Sequence, residues 1–186
     1  MVIDANGIGH GLVDFMVKSQ VDPETGETLP PFGVMNDEDG EYKRFKTADT
    51  EADAMFLIKA NAPINTEMYA YAQAQISSGR VKFLIDEASA KNNLLETKKG
   101  ANMKPHERNE YLRPYIATTI LKEQMANLVQ SNDGINIILK QASRSIKKDK
   151  VSAFLYGLYY IKKEDERKRK RRKFSVADMM FMSHAG

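Results

Sequence analysis

The chain of 186 residues, with 42% hydrophobic residues, 28% charged residues and a net charge of +3, is long enough for one domain with its own core and too short for two full domains. It has no run of the roughly 18 to 20 uncharged apolar residues that a membrane span needs and no signal-peptide pattern at its start, so we expect a soluble protein that is not secreted by that route. Zero cysteines exclude a disulfide scaffold and Cys-ligated zinc, and three scattered histidines leave no two-histidine metal spacing, so any metal needs oxygen ligands.

A short strand, a tight glycine turn and a helix are predicted at the start of the chain. The apolar run Val2 to Ala5 contains one acid, Asp4, and glycines at positions 7, 9 and 11 follow it. The helix that comes next has apolar side chains at helical spacing, which we expect to face the core: Leu12, Phe15 and Met16. Only three residues precede Asp4, whereas a strand averages about 5 to 6 residues, so we expect that upstream sequence is missing.

Loops and helices alternate with further candidate strands along the rest of the chain. We predict a loop over 20–31, a short strand over 32–35, an exposed or mobile polar segment over 36–53, a helix from an N-cap at Asn65 to 77–79, and a strand over 81–85. Beyond these we predict a short helix, a break at Pro114 and a longer helix within 104–131, a strand over 135–139, and a last helix from 148 or 149 to about 167. The last helix has an inward-facing side made of Val151, Phe154, Leu155, Leu158 and Tyr159. This alternation favours an α/β fold, with helices packed on a sheet of three or four strands.

Asp4 is the first candidate for chemistry. It lies at the C-terminal end of a predicted buried strand and directly before a glycine-rich turn, where open α/β sheets place ligands and catalytic groups. The alternative is structural, because a carboxylate there also caps the following helix through the amides of the turn. A dinucleotide site is disfavoured, since the Gly-x-Gly-x-x-Gly pattern requires glycine where Leu12 stands and no acid ends a second strand about 20 residues on. No Gly-x-x-x-x-Gly-Lys-Ser/Thr motif occurs, so an ATP-binding P-loop is excluded.

Asp149, at the start of the last predicted helix, is the second candidate. A negative charge at a helix N-terminus is favoured by about 0.3 to 1 kcal/mol, so a purely structural cap is an open alternative. The surrounding sequence favours phosphate binding instead, because five basic residues lie close by: Lys140, Arg144, Lys147, Lys148 and Lys150. The third candidate is the acidic pair Asp86-Glu87, which closes the predicted strand 81–85 and is better explained as a turn or a helix cap.

Four segments carry a resemblance to a known family. They are, in chain order, VIDANGIGHGLVDFM, RVKFLID, GINIILKQ and KKDKVSAFLYGLYYIKK. Their order resembles the C-terminal nuclease domain of tailed-bacteriophage terminase large subunits, which has a ribonuclease H-like fold. In that family one metal-binding carboxylate ends a strand before an Asn/Gly turn and another opens the last helix, and Asp4 and Asp149 match these two positions. The resemblance covers about residues 1–163.

The resemblance implies a metal-dependent endonuclease that cuts double-stranded DNA during genome packaging. Two Mg²⁺ or Mn²⁺ ions would be its cofactors, with Asp4 and Asp149 as the metal-binding and catalytic residues. Arg144, Lys147 and Lys148 would hold DNA phosphates. The implied partners are the portal, the small terminase subunit and an upstream large-subunit chain that carries the ATPase, with no membrane, and the implied location is the cytoplasm of the host cell.

Two departures from the family pattern bear on the site. The family's first metal-binding aspartate lies on a strand upstream of the one that carries Asp4, with the ATPase domain further upstream, and this chain contains neither. We therefore expect a ribonuclease H-like mixed sheet, flanked by helices, that is incomplete at its N-terminus, in a chain that is a fragment. In addition, Lys150 and Val151 stand where the family often has an acid or a small residue.

The C-terminal part of the chain carries the excess of positive charge. Residues 162–173 have a surplus of +6, which leaves −3 for the rest, and we divide the chain into a partial nuclease domain, 1–163, and a basic, Met-rich tail, 164–186. Six cations are adjacent in it: Lys168, Arg169, Lys170, Arg171, Arg172 and Lys173. This run is interpreted as a solvated helix end, as a DNA-binding patch or, in a eukaryotic source, as a nuclear-localisation signal; adjacent cations repel one another and gain most from a polyanion, which favours DNA. Residues 174–186 are apolar enough to dock on a partner, for which the resemblance suggests the portal.

Two other functions are compatible with the same residues. The first is a DNA-binding or assembly module without catalysis, which metal binding would distinguish from a nuclease. The second is a nucleotide-binding regulator, which rests only on the turn from Gly7 to Gly11.

Overall fold

The computed structural model of the protein describes residues 1–47, 50 and 53–182, and for residue 8 and residues 171–182 it describes the backbone alone. The chain is mixed α/β, with 51% helix and 16% strand in small sheets, in agreement with the predicted α/β class. Among the described residues, no helix combines the length and the apolar composition that a bilayer crossing requires.

The strands are, in chain order, β1 (Val2–Asp4), β2 (Gln20–Val21), β3 (Thr28–Leu29), β4 (Gly33–Val34), β5 (Asp53–Ile58), β6 (Leu128–Asp133) and β7 (Asn136–Gln141). The helices are α1 (Ile8–Met16), α2 (Ala62–Ser77), α3 (Glu87–Leu95), α4 (Lys98–Ala101), α5 (Pro105–Ala126) and α6 (Asp149–Met182), with a 3-10 helix at Lys43–Phe45. Two compact units are formed, the first from Met1–Asn65 and Tyr156–Gly186 and the second from Thr66–Leu155.

A three-stranded parallel sheet forms the centre of the first unit. Its strand order is β1-β5-β4, and Asp4 at the end of β1 is aligned with Ile58 at the end of β5. The buried core of this unit consists of Ile3, Ala5, Val13, Val17, Val34, Tyr42, Met55 and Leu57. Ile3 is thus buried in the core while Asp4, the next residue, is exposed.

The buried side of α1 differs from the prediction. Val13 and Val17 are 0% and 2% exposed, whereas Leu12 and Phe15, which were predicted to face the core, are 48% and 57% exposed. Met16 is partly buried against the core, as predicted. Apolar residues occupy two neighbouring stripes of this helix, and helical spacing alone does not decide which stripe meets the sheet.

Strands occur in the first unit where the sequence pattern predicted loops. β2 and β3 pair antiparallel inside the predicted loop 20–31, and the central strand β5 was not predicted. β4 lies within the predicted strand 32–35. In the segment 36–53, Tyr42 is buried, in contrast to the prediction of an exposed polar stretch, and residues 48, 49, 51 and 52 lie outside the described part.

The second unit combines helices α3, α4 and α5 with an antiparallel hairpin of β6 and β7. β7 confirms the predicted strand 135–139 with its ends shifted by one or two residues. β6 stands where the last part of the helix within 104–131 was predicted, because α5 ends at Ala126. Gly134, with a φ of 57°, forms the turn between the two strands.

Four further predictions about single elements were wrong in whole or in part. Residues 81–85 pair with no strand in the described part of the chain and lead instead into α3. α5 runs through Pro114 without a break; Pro114 and Glu110 are exposed, so water can satisfy the Glu110 carbonyl that loses its partner to the proline. The Asn61 side chain accepts a hydrogen bond from the Ile64 amide at 2.9 Å, so α2 begins after Asn61 and before the predicted cap Asn65. α6 begins at Asp149, as predicted, but extends to Met182 instead of about 167.

Candidate metal and DNA sites

The Asp4 carboxylate is held by two hydrogen bonds at the end of β1. Its Oδ1 accepts a hydrogen bond from the backbone amide of Asn6 at 3.0 Å, and its Oδ2 accepts one from the hydroxyl of Tyr156 at 2.9 Å. The Asn6 side chain in turn donates to the Ala60 carbonyl at 3.0 Å, which ties the turn to the segment after β5. The carboxylate is therefore exposed but oriented, with one bond to each oxygen.

The glycine turn after Asp4 has a steric reason. A Cβ at position 9 would lie 1.5 Å from the Asp4 carbonyl oxygen, so only glycine allows α1 to start this close to the strand end. Gly7 has a φ of 55°, a conformation that other residues rarely adopt. Asp4 accepts the Asn6 amide of the turn, and within the described part of the chain no side chain caps α1.

Asp149 opens α6 in the second unit, but another residue caps that helix. Oε1 of the buried Gln124 accepts the amides of Lys150 at 2.9 Å and Val151 at 3.3 Å. Asp149 is exposed, and within the described residues its carboxylate accepts no hydrogen bond and makes no ion pair. The capping role that the sequence left open for Asp149 is thus taken by Gln124, which sequence reasoning missed because it lies 25 residues earlier on α5.

Both candidate carboxylates are chemically suited to hard divalent cations. Each oxygen of Asp4 accepts one hydrogen bond and retains a second lone pair, and the oxygens of Asp149 are open in the described structure. The two residues belong to different units, Asp4 to the first and Asp149 to the second. Among the described residues, no three or more His, Asp or Glu side chains form a group that could hold a metal ion.

The loop between β7 and α6 presents the predicted phosphate-binding residues. Arg144, Lys147 and Lys148 are all exposed, and none makes an ion pair with a described residue. The buried Asn127 shapes this loop: its Nδ2 donates to the Ser143 carbonyl at 2.9 Å and its Oδ1 accepts the Ser143 amide at 2.9 Å. Asn127 was not predicted, because its partners are 16 residues away and no local pattern marks it.

The basic part of α6 divides into paired and unpaired cations. Nζ of Lys163 lies 3.7 Å from Oε2 of Glu166, and Nζ of Lys162 contacts Oε1 of the same residue. Nη1 of Arg167 lies 3.5 Å from Oε1 of Glu164. The next three cations, Lys168, Arg169 and Lys170, are exposed and make no ion pair within the described part of the chain. The side chains of Arg171, Arg172 and Lys173 lie outside the described residues.

The acidic pair Asp86-Glu87 has a structural role. Asp86 caps α3, since its Oδ1 accepts the Ser89 amide at 2.9 Å and its Oδ2 accepts the Ser89 hydroxyl at 2.7 Å. Both bonds hold the pKa of Asp86 below its ordinary value, and the bond from the Ser89 amide has the larger effect. The prediction of a turn or cap is confirmed, although the described residues 81–85 do not form the strand that was predicted directly before it.

Comparison of the chain with protein-family models, with curated proteins and with solved structures found no match.

Proposed function

We propose that this chain is part of the ribonuclease H-like nuclease domain of a phage terminase large subunit and takes part in metal-dependent cleavage of double-stranded DNA. The observation that carries the proposal is the Asp4 carboxylate, oriented at the C-terminal end of a parallel strand directly before a turn that requires glycine. Open α/β sheets place their ligands at this position.

Asp4 and Asp149 are the proposed metal ligands and the catalytic residues. Two bound Mg²⁺ or Mn²⁺ ions would supply the activation of a water molecule and the stabilisation of the leaving oxygen. Two carboxylates bring a formal charge of −2 against +4, so we expect weak metal affinity and weak or no cleavage by this chain alone.

Exposed cations complete the proposal by binding the DNA backbone. Arg144, Lys147 and Lys148 lie in the loop directly before Asp149 and carry no competing ion pair among the described residues. Free cations gain the full benefit of releasing counterions from DNA phosphates. The cations of α6 from Lys168 onward extend the same chemistry along the helix.

The partners of this chain follow from the same proposal. Double-stranded DNA is the substrate, and the portal, the small terminase subunit and an upstream large-subunit segment with the ATPase are the proposed protein partners. The cytoplasm of a host cell is the proposed location. A portal contact is assigned to residues 174–186.

A Mn²⁺ titration followed by NMR tests the metal assignment. Paramagnetic Mn²⁺ broadens nearby amide signals, so a shared site predicts broadening at Asn6 and at Lys150 in the wild-type chain. Because the proposal makes both acids ligands of the same site, Asp4→Asn is expected to abolish the broadening at Lys150, and Asp149→Asn that at Asn6. Asp133→Asn, a change at the exposed acid that ends β6, is the control and is expected to alter neither.

The outcomes of this titration distinguish a shared metal site, two separate metal sites and the absence of metal binding. No broadening at either position in the wild-type chain overturns the metal assignment and favours the non-catalytic DNA-binding module. Broadening that survives at each acid when the other is changed overturns a shared site. Plasmid nicking by the complete large subunit is the second readout: loss in both variants supports the proposal, and full activity in both overturns it.

A further inference from the structure

We propose that Tyr156 is a positioning residue that holds the Asp4 carboxylate in the orientation in which it binds metal; this inference rests on the proposed function. The Tyr156 hydroxyl donates to Oδ2 of Asp4 at 2.9 Å, across 152 residues of sequence. Both residues belong to the first unit. Tyr156 thus contributes to the site through another residue, without serving as a ligand.

The two hydrogen bonds to Asp4 act on different oxygens. The Asn6 amide binds Oδ1 and the Tyr156 hydroxyl binds Oδ2, so together they fix the plane of the carboxylate. Each carboxylate oxygen has about two lone pairs, which leaves one on each oxygen for a cation. An exposed aspartate without the second bond is free to rotate, and a cation that binds it must then first restrict that rotation.

Tyr156 presents its hydroxyl from a firmly packed part of α6. Tyr159, less than one turn further along the helix, is only 7% exposed. The Tyr160 ring packs edge-on against Phe56 of β5, with ring centroids 5.2 Å apart and an interplanar angle of 64°. The helix is therefore anchored on the strand that neighbours β1, and the hydroxyl of Tyr156 has a defined place relative to Asp4.

Hydrogen bonds to metal-binding side chains typically change metal affinity by about 10-fold to 100-fold. Because Asp4 is exposed, we expect Tyr156→Phe to weaken Mn²⁺ binding by about 10-fold, the lower end of that range. The change removes only the hydroxyl and keeps the ring. Tyr160→Phe is the matched control, since it removes a hydroxyl on the same helix and keeps the ring contact with Phe56.

Two measurements on the full chain test the proposal. The first is the Mn²⁺ dissociation constant, from the electron paramagnetic resonance signal of free Mn²⁺, for the wild type and for the Asp4→Asn, Tyr156→Phe and Tyr160→Phe variants. The second uses no metal: three-bond couplings report whether the Asp4 side chain occupies one χ1 rotamer or averages among several. We expect one rotamer in the wild type and in Tyr160→Phe, and averaging in Tyr156→Phe.

The two measurements separate the positioning role from the proposed function. Unchanged couplings in Tyr156→Phe overturn the positioning role, and so does an equal loss of Mn²⁺ affinity in both tyrosine variants, which would reflect helix packing. Equal Mn²⁺ affinity in the wild type and Asp4→Asn overturns the metal assignment of Asp4. In that case, averaging of the Asp4 χ1 rotamer in Tyr156→Phe but not in Tyr160→Phe would still show that Tyr156 orients Asp4. Only the link between this orientation and metal binding would be lost.

Discussion

The side-chain Oε1 of Gln124 accepts the backbone amide of Lys150 at 2.9 Å. It also accepts the amide of Val151 at 3.3 Å, and Gln124 is only 7% exposed. A residue of α5 thereby satisfies two of the amides that the first turn of α6 leaves without an intrahelical partner. We expect Gln124→Met, which keeps the volume but removes the acceptor, to lower the free energy of unfolding by about 1 to 3 kcal/mol. Urea denaturation measures this.

Asp149→Asn is the control for Gln124→Met. Asp149 is exposed and accepts no hydrogen bond from a described residue, so only its interaction with the helix dipole is lost, about 0.3 to 1 kcal/mol. A larger loss in Asp149→Asn than in Gln124→Met would contradict the assignment of the cap to Gln124.

Gly9 and Gly11 give opposite predictions within one helix. Alanine at position 9 would place its Cβ 1.5 Å from the Asp4 carbonyl oxygen, which is backbone and cannot rotate away. We expect Gly9→Ala to cost about 1 to 3 kcal/mol of stability and to disturb the Asp4 turn. A Cβ at position 11 would meet no described atom within 4 Å beyond its chain neighbours and its own helix backbone, so Gly11→Ala is expected to stabilise the protein by about 0.5 to 1 kcal/mol. Thermal and urea unfolding of the two variants measure these opposite changes in stability. Stabilisation by both variants would contradict the close approach of position 9 to the Asp4 carbonyl oxygen.

The local parts of the fold were predictable from the sequence, and the pairing of strands was not. The apolar run before Asp4, the glycine turn and the start of α6 at Asp149 each have a local signature. Residues 81–85 have the alternation of a strand, but a strand also requires a neighbour, and alternation does not report one. β5 was missed for a related reason: it is a short apolar run, which periodicity alone does not distinguish from a buried helix.

The candidate site shows the same division. The position of Asp4 before a turn was predictable, because strand end and glycines are adjacent in sequence. Its bond to Tyr156 was not, since the two residues are 152 positions apart and a tyrosine on a helix is usually explained by packing. Gln124 and Asn127 were missed likewise, because capping rules consider neighbouring residues and these side chains act on a distant segment.

The Asp86 cap predicts an acid-dependent loss of stability. The hydrogen bonds from Ser89 lower the pKa of Asp86 in the folded state, so the ionised form contributes stability above the unfolded pKa of about 3.9. That contribution is lost as the pH falls through the lower folded pKa. We expect Asp86→Ala to be less stable than the wild type at pH 7, with a difference that shrinks below about pH 4.

Asp86→Ser separates the charge from the cap in this experiment. Serine is a good N-cap residue without a titratable carboxylate, so the variant should recover stability at pH 7 and lack the acid-dependent loss of the wild type. Urea unfolding between pH 2 and pH 7 measures both effects. A difference between wild type and Asp86→Ala that stays constant down to pH 2 would contradict the role of the carboxylate.

The basic part of α6 predicts a steep salt dependence of DNA binding. Six phosphate contacts by residues 168–173 give a slope near −5 in log K against log salt, from roughly −0.9 per contact. Changing Lys168, Arg169 and Lys170 to Gln should make the slope shallower by about 3, because these cations have no ion-pair partner among the described residues. Changing Lys162, Lys163 and Arg167 to Gln removes the same charge from cations that already contact Glu164 or Glu166, and we expect a smaller effect.

Fluorescence anisotropy with a short duplex over a range of salt concentrations measures the slopes. A wild-type slope shallower than about −2 would assign the segment to solvent, and equal effects of the two triple changes would show that ion pairing does not divide the cations as proposed.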